Sequence, residues 1–251
     1  MKFLGFVLSL PLVLGFFKFG KKKKEKPLKS TDEEARSGGS SVVEEYEKIL
    51  ASGDKRAILD VLERLSQDFE GWESGLYNEL CSRLWELNLQ YYELDSPSQE
   101  DWDIHMRVTS LFNYGDWYTL LSDFIEVLSN PSLPQPVRVD SITHIWRLAY
   151  RGKITPEDKP RVAETVEKCL GESDPAILSQ AVLAASLLEM RETVDRLREI
   201  GETHTNDVLL YNTGVALVEM GEKESGRKIL EKVAGMGGFQ GEQAKRYLEN
   251  I

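Results

Sequence analysis

Cysteine and histidine are scarce in this 251-residue chain, and their scarcity excludes several chemistries. The two cysteines, Cys81 and Cys169, stand 88 residues apart with no second Cys or His at ligand spacing, so neither a zinc site nor a redox pair is indicated. Each falls in a helical apolar pattern and reads as a small buried thiol; a bridge between them would need an oxidising compartment. Of the three histidines, His105, His144 and His204, His144 has a carboxylate one turn away, Asp140, and that pair is expected as a surface hydrogen bond. There is no G-x-S-x-G and no Gly-rich dinucleotide loop. Gly152-Lys153-Ile154-Thr155 imitates the end of a P-loop, but Arg147 stands where the first glycine belongs, so the run is expected to close a helix. Acidic pairs such as Glu33-Glu34 and Glu44-Glu45 are of a kind that a chain rich in Asp and Glu yields by chance. No catalytic residue, cofactor, metal or small-molecule substrate is expected.

What is present is a globular composition with a strong asymmetry of charge. Hydrophobic residues make up 41% and charged residues 29%, enough to build a sizeable core without metal or disulfide staples. Residues 1–41 carry nine Lys/Arg against four Asp/Glu, whereas 42–251 carry 22 against 38, a net charge of -16. Such an acidic body is repelled by phosphate backbones, so nucleic acid is not expected as a partner.

The longest apolar run lies at the start. Phe3 to Phe17 is fifteen residues without a charge, followed by Lys18, Lys21, Lys22, Lys23, Lys24 and Lys26. As a helix the run covers about 23 Å, short of the roughly 30 Å hydrocarbon layer, and snorkelling by Lys2 and Lys18 closes much of the gap. A cleaved signal would want small residues at a cleavage site, and no A-x-A follows. Residues 1–20 are therefore expected as a membrane anchor, with a cleaved or retained export signal as the alternative. The lysines after the run, against Lys2 alone before it, favour a body on the cytoplasmic side and would attract anionic headgroups. The alternative places the body in the periplasm or outside the cell. Residues 21–41, basic and then Gly/Ser-rich, read as a flexible tether.

From Val42 onward the apolar stripes have helical spacing and none alternates as a strand would, so the fold class is expected to be all-α. Val43, Tyr46 and Leu50 make one face before Gly53-Asp54; Ile58, Leu62 and Leu65 make the next. Trp72, Leu76, Leu80, Leu84, Leu87 and Tyr91 form a longer stripe, and Ile104, Val108, Leu111 and Phe112 another. Segments of ten to twenty residues with short breaks suggest stacked antiparallel helix pairs over 42–251, with a sub-boundary near 130–136. A weak internal repeat follows. Pro136-Val137-Arg138 and, thirty-nine residues on, Asp174-Pro175-Ala176 each open a helix, and a further shift of 32 aligns Leu178 with Leu210, Val182 with Gly214, Ala185 with Leu217 and Glu189 with Gly221.

These runs carry a resemblance. Pro136-Val137-Arg138 and Asp174-Pro175 through Ala185 resemble the second helix of HEAT-type repeats, and Leu210, Gly214, Leu217, Gly226 and Leu230 look like a tetratricopeptide unit. The chain departs from that pattern: Thr213 stands where Leu is usual, Gly226 replaces the usual Ala, and no Pro closes the unit near Gly237-Gly238. The resemblance covers residues 136–251 and implies a right-handed α-solenoid of antiparallel helix pairs, whose relatives bind other proteins and do no chemistry.

Twelve of the 23 aromatic residues lie between Phe69 and Phe124, a clustering that asks for a role. Trp85, Phe112 and Phe124 are expected in the core. Tyr91, Tyr92, Trp102, Tyr114 and Trp117, near helix ends beside Glu93, Asp95, Glu100, Asp101, Asp103 and Asp116, are expected to form an aromatic and acidic surface for a basic or amphipathic peptide. The function expected is a non-catalytic, membrane-tethered scaffold for protein–protein interaction or assembly of a membrane-associated complex. Envelope assembly by an exported protein, or an enzyme with an unrecognised site, are the alternatives.

Overall fold

The structure, a computed structural model, describes residues 34–251, with side chains described from Ser41 onward. The expected anchor over 1–20, the basic cluster Lys18, Lys21, Lys22, Lys23, Lys24 and Lys26, and most of the tether lie outside the described residues. Those that are described form helices and turns with no strand among them. None of these helices is long and apolar enough to cross a membrane. They fall into two compact units, 34–158 and 159–251.

In the first unit, α1 (Glu34–Leu50) and α2 (Lys55–Gln67) are followed by the short α3 (Phe69–Glu73), then α4 (Cys81–Glu93), α5 (Gln99–Leu111), α6 (Leu121–Ser129) and α7 (Gln135–Tyr150). Helix α1 starts inside the stretch expected as flexible tether. Its Glu34, Ala35 and Arg36 are good helix formers, and Val43, Tyr46 and Leu50 bury a face that holds the later turns. Each break has a local cause. The Asp54 side chain caps α2 by accepting from the backbone N–H groups of Arg56 and Ala57, and Ser98 and Asp101 form a reciprocal capping box at the start of α5. The stripe expected to run unbroken from Trp72 to Tyr91 is divided instead. The chain turns at Gly75, and the Tyr77 hydroxyl donates to Asp68 Oδ2 at 2.6 Å, so helix resumes only at a 3₁₀ turn over Asn78–Leu80.

Helix α2 packs on α1 and α5, and α4 packs on α5 and α1, so these four helices close a ring. Lys55 pairs with Asp101, and Glu63, two turns further along α2, pairs with Arg107, so α2 and α5 run in the same direction. Helix α6 packs on α7 across residues 130–136, and the compact units divide between Asp158 and Lys159. Gly152 turns the chain at the end of α7, the helix-closing role expected of the P-loop look-alike.

The second unit holds α8 (Lys159–Leu170), α9 (Pro175–Leu187), α10 (Val194–Thr203), α11 (Asp207–Glu219), α12 (Lys223–Met236) and α13 (Gly238–Leu248). Here the 32-residue repeat is explicit in the backbone. Asp174 caps α9 and Asn206 caps α11, both extended and both accepting from the helix's first N–H groups through the side chain. At the other ends, Glu189 and Gly221 occupy the left-handed region at φ 56 and 89, followed by Met190 N–H to the Ala185 carbonyl and Glu222 N–H to the Leu217 carbonyl. Helices α9, α11 and α13 lie side by side, and α10 and α12 pack together as their partners. Both α9 and α11 are buried on nearly every side, as their uniformly apolar sequences require. Glu242, Lys245 and Arg246 of α13 are charged and exposed.

Candidate functional site

The residues expected to form one surface fall at two ends of α5, about 20 Å apart along a 13-residue helix. Beyond its C-terminal end, Tyr114 packs edge-on to Phe69 with centroids 5.3 Å apart and lies over Trp72 at 6.4 Å. Trp117 is not on the surface at all. It is 2% exposed, its indole N–H donates to the Tyr114 carbonyl, and its ring meets Phe112 at 4.9 Å and His144 at 5.6 Å. The apolar ring outweighs the neighbouring acids because Asp116 is already engaged: its backbone N–H donates to Asn78 Oδ1, and its carboxylate receives Lys153. Trp85, Phe112 and Phe124 are buried as expected, stacked around the same histidine.

Tyr91, Tyr92 and Trp102 do come together, at the corner where α4 passes into α5. Tyr91 and Tyr92 are edge-on neighbours at 5.5 Å, and Trp102 reaches Tyr91 at 6.0 Å. Between them sits His105, which the sequence pattern did not single out. It stacks on Tyr91 at 4.3 Å and 13°, meets the edge of Tyr92 at 5.2 Å, and is 7% exposed with Nδ1 buried and without a hydrogen-bond partner. Burial drives its pKa down to about 4, so at neutral pH it is an uncharged ring. The available signal was spacing: Trp102 and His105 are three residues apart on one helix, and so share a face.

Tyr92 anchors the corner from below. Its hydroxyl donates to Asp140 Oδ2 at 2.9 Å, and Asn88, one turn earlier on α4, donates to the same oxygen at 3.1 Å. The expected surface pair of Asp140 and His144 is therefore absent. Asp140 turns to α4, where burial raises its pKa, while His144 is enclosed by aromatic rings, where burial holds it neutral.

The acids divide by what they hold. Asp101 completes the α5 capping box and takes Lys55 Nζ at 2.8 Å; the lysine and then Ser98 hold its pKa down at about 2. Asp103 accepts from Gln99 Nε2 at 2.8 Å. Glu93, Asp95 and Glu100 are exposed on the rim of the same corner, and none makes a hydrogen bond or ion pair. Beside them Leu94 is 44% exposed and Met106, one turn beyond Trp102, is 38% exposed. The corner thus offers ring area, aliphatic area and uncompensated negative charge in one place. It belongs to the more acidic part of the chain: residues 42–158 hold 10 basic and 22 acidic residues, against 12 and 16 in 159–251.

Elsewhere, burial pushes the Cys81 thiol up to about 12, so it is not a thiolate at neutral pH, and Cys169 is likewise a buried thiol. Among the described residues no three His, Cys, Asp or Glu side chains converge as metal ligands. No protein-family model matches the chain, and no curated protein matches it either.

Proposed function

We propose that this protein is a non-catalytic scaffold, held at a membrane by residues 1–20, whose helical body mediates protein–protein interaction in a membrane-associated complex. The observation that carries the reading is the 32-residue repeat of caps, helix pairs and left-handed corners from Asp174 to Gly238. It is the arrangement implied by the resemblance to tetratricopeptide and HEAT-type repeats, and the second unit is read as a short segment of right-handed α-solenoid. In such stacks each pair covers the apolar face of the next, leaving outer surfaces free for partners. The apolar run Phe3–Phe17 and the lysines behind it support the tether, with the body on the cytoplasmic side. Confinement near a bilayer raises the body's effective concentration toward membrane partners.

Cross-linking in cells, followed by identification of the captured proteins, tests this reading. The expected result is a defined set of membrane-associated proteins whose capture falls sharply when residues 1–20 are removed. Capture that is unchanged by that removal would overturn the tethered scaffold.

A further inference from the structure

At the α4–α5 corner, exposed apolar side chains stand beside carboxylates that make no ion pair. Lys55 is spent on Asp101 and Ser98, whereas Glu93, Asp95 and Glu100 stay free. A second, independent feature points to an occupant: Nδ1 of His105 is buried among the three rings of the same corner without a partner. A polar atom in that position is costly to leave without a hydrogen bond.

We propose that this corner docks a basic, amphipathic peptide segment of a partner protein. A guanidinium or ammonium group of the segment lies against Tyr91 and Trp102, within reach of Glu93, Asp95 and Glu100, and a large apolar side chain covers Leu94 and Met106. Aromatic faces attract such a cation, and carboxylates around it steer the approach. A purely anionic or purely aliphatic partner would leave half of this surface unanswered. The proposal rests on the interaction reading above and names the partner's chemistry.

The test uses the full chain in detergent micelles and, as probe, a synthetic amphipathic helix with arginines on one flank and leucines on the other, titrated by calorimetry. Glu93→Lys with Glu100→Lys is expected to weaken binding about tenfold, and Leu94→Ser several-fold, both sites being exposed and outside the core. Asp123→Lys with Glu126→Lys makes the same charge change on α6 and is expected to leave binding within about twofold. Equal loss in both reversals would show unspecific charge attraction and overturn the corner as a site. So would self-association abolished by the corner reversal, which assigns the surface to a second copy. An intramolecular cross-link from Lys21–Lys26 to Glu93 or Glu100 would assign it to the chain's own basic segment and overturn the proposal equally. Partners captured in cells despite the corner reversal would overturn the corner while leaving the scaffold reading intact.

Discussion

A methyl group on Gly226 would lie 2.6 Å from the Gly214 carbonyl oxygen and 2.9 Å from the Val218 backbone nitrogen, so α11 and α12 could not stay at their present separation. The glycine is what lets the two backbones approach this closely. Gly226→Ala is expected to cost about 1–3 kcal/mol by overpacking. Gly235→Ala, on the same helix with open space around it, is expected to stabilise by about 0.5–1 kcal/mol through helix propensity. Urea unfolding of the two variants measures both. The buried histidines set the response to acid. Their folded-state pKa values lie below the ordinary 6.5, so as pH falls the unfolded chain takes the proton first. Their contribution is intact above about 6.5 and is lost as pH falls toward, for His105, about 4, at up to about 1.4 kcal/mol per pH unit for each ring. Asp140, whose folded pKa is raised, acts in the opposite sense, losing stability as pH rises from 3.8. His105→Phe isolates one ring: the slope of stability between about pH 5 and 6.5 is expected to flatten, and an unchanged slope would remove His105 as a source.

At the scale of elements, one buried polar contact ties the repeat together. Asn212 of α11 donates to the Ser179 hydroxyl of α9 at 2.7 Å in a layer that is otherwise apolar. Ser179→Ala is expected to cost about 1–3 kcal/mol because it strands the Asn212 amide, and adding Asn212→Leu is expected to recover much of that loss, a coupling read by a double-mutant cycle. The helices themselves were largely legible in the sequence, since Gly53-Asp54, Ser96-Pro97 and Asp174-Pro175 are local signals, and local signals need no partner to act. The 32-residue shift was legible too, because Leu178 and Leu210 are both buried and each stands four residues after a side-chain cap, Asp174 or Asn206. Tertiary arrangement was not. Nothing in the stripe from Trp72 to Tyr91 foretold the turn at Gly75, which depends on Tyr77 reaching Asp68. The direction of α2 relative to α5 depends on pairs 44 and 46 residues apart. The aromatic surface was half legible for the same reason: Tyr91 and Trp102 are joined by a short loop, whereas Trp117 was drawn inward by Phe112 and His144, contacts that charge and helix ends do not encode.

Across the whole molecule, an acidic helical body follows an apolar, lysine-flanked beginning, and the proposed tether depends on that order. If the proposed tether holds, removal of the charge-free run releases the chain from the membrane without changing the stability of either helical unit. The direct measurement is membrane flotation after alkaline extraction, combined with protease treatment of sealed cells and of opened ones. The full chain is expected to float with the bilayer after extraction, the chain lacking residues 1–20 to remain at the bottom of the gradient, and the body to be cut only once the cells are opened. A full chain that stays with the soluble fraction, or a body digested from outside intact cells, would contradict it.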